Sequence, residues 1–443
     1  MTKGSILPKI LLFSIPLMAS SVLQLLFNAA DIIVVGKFAG NNSLAAVSST
    51  TSLVNLITQL FIGLSIGVNV VVAKHIGEKD GDGIYNSVST SIIVSLIGGL
   101  IVTLVGVAFS RVLLELMGSP DEVINLSNIY LKIYFLGMPA TMLYNYGSAI
   151  LRAQGDTQRP LKFLLIAGIL NVVLNLFFVI VLKIDVAGVG LATAISQYLS
   201  AFLILKCLLN ETWPFGLDLK NMVFDKKEFK QIVIIGLPAG LQGTVFSISN
   251  VTIQSSINSF GNIVMAGNGA ASNLEGFVYM AMNTFYQAAI SFTSQNLGAG
   301  EFKRINKILI ACILCVTVTG AVLGYGLWYF GDFFLHLYSN DPVVINAGMV
   351  RLGYIGKIYF LCGVMDVLCG SIRGLGNSII PMITSLLGSC VFRLIWIATI
   401  FKIYHTQEIL YLVYPISWIV TLSCHFIFYT IIKKRTVQKL TNK

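Results

Sequence analysis

The chain has 443 residues, of which 56% are hydrophobic and 11% charged, against about 25% charged in ordinary soluble domains. So few charges cannot cover the surface of a water-soluble protein of this length. That excludes a cytosolic enzyme, a disordered chain and a secreted disulfide scaffold, and points to an all-α polytopic membrane protein.

Twelve spanning segments are predicted, at about 8–36, 44–73, 85–110, 122–151, 160–182, 186–206, 231–259, 265–297, 305–330, 343–372, 378–401 and 408–432. Uncharged runs such as 163–182 are long enough to cross about 30 Å of hydrocarbon as helix. The first run carries Asp31 and is too long for a cleavable signal peptide. Residues 237–260 carry Gln242, Ser247, Ser249, Asn250, Gln254 and Asn258. So polar a helix should face protein or a water-filled cavity rather than lipid.

The net charge of +10 is explained by position. Lys and Arg gather in the loops on the side that holds both termini, as at Arg152, Arg159, Lys162 and Lys303 and in 206–230 and 433–443. Lys37, Arg111, Lys183 and Lys402 lie on the other side. This bias places both termini in the cytoplasm and leaves no case for nucleic acid.

An internal repeat is visible. Pro16 and Pro238, Asn28 and Asn250, and Phe38 and Phe260 are each 222 residues apart, and RAQGDTQRP (152–160) meets RGLGNSIIP (373–381) at 221. Six helices per repeat is an even number, so both halves keep one orientation, related by an axis along the membrane normal. The expected organisation is an N-terminal lobe (1–206), a polar cytoplasmic linker (207–230) and a C-terminal lobe (231–443). These form two pseudo-symmetric six-helix bundles around a central cleft, an arrangement suited to alternating access. Pro16 and Pro238 are expected to bend their helices.

Seven cysteines lie in or beside apolar stretches, and the CxxC at Cys312–Cys315 lacks flanking ligands. They read as small buried hydrophobes. His75, His336, His405 and His425 form no metal spacing. No paired-Asp, Ser/His, HExxH, GxSxG or phosphate-loop motif occurs, so no catalytic residue is expected.

Asp31, in LLFNAADIIVVG, has apolar residues on both sides. An ionised carboxylate at membrane depth costs about 2.5–3.5 kcal/mol on insertion scales. It must take a proton, pair with a cation or face water. Asn171 and Asn175 are four apart and so share a helix face, and Thr193 adds a hydroxyl. Together they are an oxygen-rich set that suits a hard monovalent cation, or a proton on Asp31 with the amides as partners. In the C-terminal half, Glu275 and Asp366 each stand in apolar surroundings. Both are candidates for holding a substrate cation or for a switch, with Arg393 and Lys357 available as counter-ions. Asn28 and Asn250 are further substrate candidates.

These motifs resemble the multidrug and toxic compound extrusion (MATE) family over nearly the whole chain. NAADIIVVGKFAG (28–40), NVVLN (171–175) and AGVGLAT (187–193) resemble its first-, fifth- and sixth-helix motifs, and the two R-x-x-G loops resemble those after helices four and ten. The resemblance implies a secondary antiporter in the plasma membrane that exports cationic, amphipathic organic compounds in exchange for Na⁺ or H⁺, with no other cofactor. It also implies a cation site in the N-terminal lobe, carried here onto Asp31, Asn171, Asn175 and Thr193. There are departures. The DinF-type branch has Asp where this chain has Asn175, and at the seventh-helix position where the NorM-type branch carries an acid this chain has Phe246. The expected partners are small organic cations and the lipid bilayer, the expected state a monomer. A lipid-linked oligosaccharide flippase of the same superfamily is the alternative; its pyrophosphate would call for the in-helix cations Lys132, Arg351, Lys357 and Arg393.

Overall fold

The computed structural model describes residues 1–119 and 121–441. The described residues are mostly helical, apart from a non-helical linker at 210–225, and a short helix Gly331–His336 lies between the ninth and tenth rods. Twelve rods follow in chain order: α1 (Ile6–Ala39), α2 (Asn41–Glu78), α3 (Gly81–Leu116), α4 (Asp121–Leu136 and Met138–Gln154), α5 (Gln158–Val181), α6 (Asp185–Leu209), α7 (Lys226–Asn258), α8 (Asn262–Gly298), α9 (Phe302–Tyr329), α10 (Pro342–Ile358 and Phe360–Gly374), α11 (Ile379–Phe401) and α12 (Gln407–Thr441). Among the described residues nine of these are long and apolar enough to cross a membrane, and the two parts of α10, bent by 45°, make a tenth as one span. The others are α4, interrupted at Gly137, and α8, which is polar but largely buried. Buried polar groups on such a helix find partners inside protein rather than lipid.

The chain divides into two compact units, Ala19–Val233 and Met1–Met18 with Ile234–Lys443, and the divisions fall within α1 and α7. Pro16 and Pro238 both lie inside unbroken helices. Between the two parts of α10 the chain bends by 45°, where Gly356–Ile358 forms a tight turn.

Within the first unit, α2 ends at Lys79, in the left-handed conformation (φ +57°), and Asp80 caps α3 by accepting from the Gly83 amide at 3.0 Å. The linker after α6 is strapped to α3. Tyr85 Oη donates to the Asn221 carbonyl (2.9 Å), and the amides of Val223 and Asp225 donate to Ser89 Oγ (2.7 Å) and Thr90 Oγ1 (2.9 Å). In the second unit, the start of α1 packs on α8 through Phe13 and Phe292, whose rings meet edge-on at 5.7 Å.

The repeat is legible in the helices themselves. Gly40 and Gly261, 221 apart, both hold positive φ (+85° and +88°) at the α1–α2 and α7–α8 turns. The interval narrows from 222 at Asn28/Asn250 across the π turn Val35–Ala39, which takes up one residue more than an α turn. It widens again beyond the π turn Leu386–Val391, so that α6 and α12 begin 222 apart at Asp185 and Gln407.

Helix pairs approach closely at glycines. A Cβ on Gly267 would lie 2.5 Å from the Val344 carbonyl, and one on Gly324 would lie 2.3 Å from the Gly356 carbonyl. Gly269 and Gly326, two residues further along the same helices, have nothing within 4 Å. Backbone carbonyls cannot move aside as flexible side chains do. Gly267→Ala and Gly324→Ala should each destabilise the protein by about 1–3 kcal/mol, read as a lower melting temperature in detergent. Gly269→Ala and Gly326→Ala should leave it unchanged, and equal melting temperatures within either pair would refute the packing assignment.

Candidate functional site

In the first unit, α1, α5 and α6 bring Asp31, Asn171, Asn175 and Thr193 together. Asn175 Nδ2 donates to Asp31 Oδ1. The Thr193 hydroxyl donates to the same carboxylate and accepts from Asn171 Nδ2 at 3.4 Å. Asn171 and Asn175 are buried, and Asp31 and Thr193 half-buried. The four-residue spacing of the asparagines puts both amides on one face of α5. That face is lined by the repeat's small residues Ala167 and Gly168, the latter with no room for a Cβ against Phe27.

Two features give this cluster unused capacity. Asn171 Oδ1 and Asn175 Oδ1 are buried and accept no hydrogen bond from any described residue. Widened π turns follow directly, at Val35–Ala39 after Asp31 and at Phe177–Val181 after Asn175. Such turns leave backbone carbonyls out of the regular ladder and recur at functional sites. A valine-rich collar of Val34, Val35, Val47, Val179, Val186 and Val189 packs beside them. The arrangement presents one carboxylate, two free amide oxygens and a hydroxyl beside an apolar wall. It is a set of hard oxygen donors with one negative charge, chemically matched to a monovalent cation or a proton.

The second unit treats its acids differently. Glu275 on α8 is paired with Arg351 on α10, not with Arg393 or Lys357: Arg351 Nε and Nη2 reach its two oxygens at 3.0 and 2.6 Å. Arg351 Nη1 also donates to Asn268 Oδ1 at 2.6 Å, and its guanidinium lies over the rings of Tyr411 and Tyr414. Glu275 and Arg351 are 3% and 6% exposed, so the pair is a desolvated, bidentate one. Lys357 stacks on Trp328 instead, 3.7 Å from the ring centre. Asp366 accepts a hydrogen bond from the Tyr279 hydroxyl. Arg373, one helix face along from it, is held by the Tyr286 hydroxyl and by Gln242 Oε1 (2.7 Å). Arg393 donates from Nε to Ser417 Oγ at 3.0 Å and lies 4.5 Å from the Tyr414 ring centre. Asn28 and Asn250 are both exposed.

Sequence reasoning named Arg351 only as an in-helix cation and not as the partner of Glu275, and it missed Asn268, Tyr279 and the tyrosines of α12. An arginine in an apolar helix is itself a signal that an acid must face it, but the spacing could not say which.

Removing one side of a buried ion pair strands the other charge, at about 3–5 kcal/mol, whereas replacing both by apolar groups can be neutral. Glu275→Gln should therefore lower the melting temperature more than Glu275→Gln combined with Arg351→Met. A double variant less stable than the single one would show that Arg351 does more than balance Glu275.

The MatE family model matches this chain twice, over residues 16–177 and 238–399, so the two matches repeat the interval of 222 seen in the sequence. The chain is 28% identical to the probable multidrug resistance protein YpnP of Bacillus subtilis (strain 168), over 100% of this chain and 99% of that one. It is 22% identical to the multidrug export protein MepA of Staphylococcus saprophyticus, over 85% and 83%. The fold superposes with a TM-score of 0.90 on the outward-facing conformation of a multidrug resistance MATE family transporter of the MOP superfamily, at 23% identity, covering 100% of this chain and 98% of that one. With two matched repeats, twelve helices in two bundles and a multi-pass apolar composition, the chain belongs to the MatE family of membrane transporters.

Proposed function

We propose that this protein is a secondary antiporter that exports cationic, amphipathic organic compounds in exchange for Na⁺ or H⁺. It works as a monomer in the plasma membrane with both termini in the cytoplasm. The observation that carries the reading is the pairing of Asp31 with amide and hydroxyl donors, beside two amide oxygens that accept nothing. The names of its relatives as multidrug resistance and export proteins support the direction of transport.

The coupling logic follows from the charge. A lone carboxylate in a dry bundle has two routes to neutrality, a proton or a bound Na⁺. If both use Asp31, they compete. A bound Na⁺ would draw on the carboxylate and the amide oxygens of Asn171 and Asn175, and protonation removes the charge that attracts it. Emptying or filling the site changes what α1, α5 and α6 must hold together, which links the ion to the packing of those helices. In the second unit Asp366, bonded to a phenol, is the acid left to meet a cationic cargo, since Glu275 is held by Arg351.

Inverted vesicles should take up a radiolabelled cationic dye when a Na⁺ or proton gradient is imposed. Asp31→Asn should abolish the gradient-driven part while the protein still folds. Wild-type uptake by that variant would sink the assignment and move attention to Asp366.

Binding of ²²Na⁺ to the purified protein should weaken as pH falls through the titration of Asp31, by about tenfold per pH unit at most, because each proton displaces one Na⁺. Affinity that does not change with pH would mean that H⁺ and Na⁺ do not share Asp31.

A further inference from the structure

The turn between α2 and α3 gathers residues whose sequence spacing held no metal pattern. His75, in the last turn of α2, is 6% exposed. Its Nε2 lies 3.0 Å from Glu228 Oε2, and Ser87 Oγ donates to the same oxygen at 3.1 Å. Glu228 is itself 3% exposed. A buried carboxylate on Nε2 orients the ring and aims Nδ1 at the turn. That is the way carboxylates orient metal-binding histidines.

Nδ1 points at two more acids. It lies 3.2 Å from Glu78 Oε2 and 3.2 Å from Asp80 Oδ2. It nonetheless makes no hydrogen bond of sound geometry. Two carboxylate oxygens facing Nδ1 call for positive charge among them, carried either by a proton on Nδ1 or by a metal ion that takes its place. The three ligand atoms all lie within 4.8 Å of one another. Ligands about 2.0 Å from a tetrahedral Zn²⁺ are about 3.3 Å apart, which matches both of the Nδ1 distances.

The backbone keeps this place open. The left-handed Lys79 swings Asp80 back over the end of α2, and the Gly83 amide holds Asp80 Oδ1, leaving Oδ2 free to face His75. A Cβ at Gly83 would lie 2.4 Å from His75 Nδ1 and 2.3 Å from Asp80 Oδ2. Any side chain there would fill the approach. Lys74, 3.6 Å from Glu78 Oε1, uses the other oxygen of that carboxylate.

We propose that His75 Nδ1, Glu78 and Asp80 form a binding site for a first-row divalent metal ion, with Glu228 as the buried carboxylate behind the histidine. One imidazole and two carboxylates favour Zn²⁺ over Ca²⁺ and Mg²⁺, which prefer all-oxygen sites. Glu78 and Asp80 are exposed, so water would complete the coordination. The ion would do more than sit on a turn. Glu228 opens α7 at the end of the linker that Tyr85, Ser89 and Thr90 strap to α3. Metal on Nδ1 strengthens the Nε2–H donor to Glu228, and so tightens the strap.

The test uses the full-length protein in detergent, stripped with a chelator. Zn²⁺ should bind at one ion per chain and raise the melting temperature, and Mg²⁺ and Ca²⁺ should not. Co²⁺ should give d–d absorption without thiolate charge transfer, which separates this site from Cys207 and Cys424. Combined Glu78→Gln and Asp80→Asn should weaken Zn²⁺ binding at least tenfold while the protein still folds, since Asn keeps the cap on α3. Gly83→Ala should also lose the ion although every ligand remains. If the double variant binds Zn²⁺ as well as the wild type, or the folded wild type binds neither Zn²⁺ nor Co²⁺, the proposal fails. In the second case an imidazolium bridges the acids unaided.

Discussion

A charged or amide group inside the bilayer must find its partner within the protein, because hydrocarbon offers none. Nearly every functional feature of this molecule is an answer to that constraint. Glu275 answers it completely. Both of its oxygens are taken by Arg351, whose remaining nitrogen goes to Asn268 and whose flat face lies against Tyr411 and Tyr414. Asp31 answers it in part. Asn175 and Thr193 donate to it, yet neither carries positive charge. One cluster is closed by its own residues, while the other keeps two amide oxygens that accept nothing from any described residue.

The same distinction separates what the sequence made legible from what it did not. Hydropathy located the helices because spanning the membrane is a local requirement, met residue by residue along one rod. Asp31 was conspicuous because a carboxylate among isoleucines and valines has to be explained. Asn171 and Asn175 were joined to one face by their spacing of four. Long-range pairing leaves no such trace. Nothing in the spacing connects Glu275 to Arg351, or His75 to Glu228, residues separated by 76 and 153 positions. The histidines were weighed for spacing among themselves, whereas His75 meets the acids Glu78 and Asp80 because a left-handed residue at Lys79 folds Asp80 back onto the helix end. The bend above 40° belongs to a glycine-containing turn in α10, where α9 presses Gly324 against the Gly356 carbonyl.

Duplication explains why one fold carries both kinds of cluster. At the interval of 222, Asp31 corresponds to Ile253, which is 1% exposed, and Asn171 corresponds to Arg393, which is 5% exposed. Asn175 corresponds to Ile397, and Thr193, on α6, to Pro415 on α12, the helix that begins 222 residues later. The burial supports this register: Ala167, Gly168 and Asn171 match the buried Ser389, Cys390 and Arg393. So the second half keeps the helices, the glycine turns and the small residues on the inward face, but not the carboxylate or the amides. In the place of an amide it holds a guanidinium, donating to Ser417 and stacked on Tyr414. A buried arginine at that position sets up a field opposite in sign to that of a carboxylate. The two halves therefore cannot serve as equivalent cation sites, however alike their backbones. The scaffold was repeated whole, and the sign of the charge in its core was changed by single side chains.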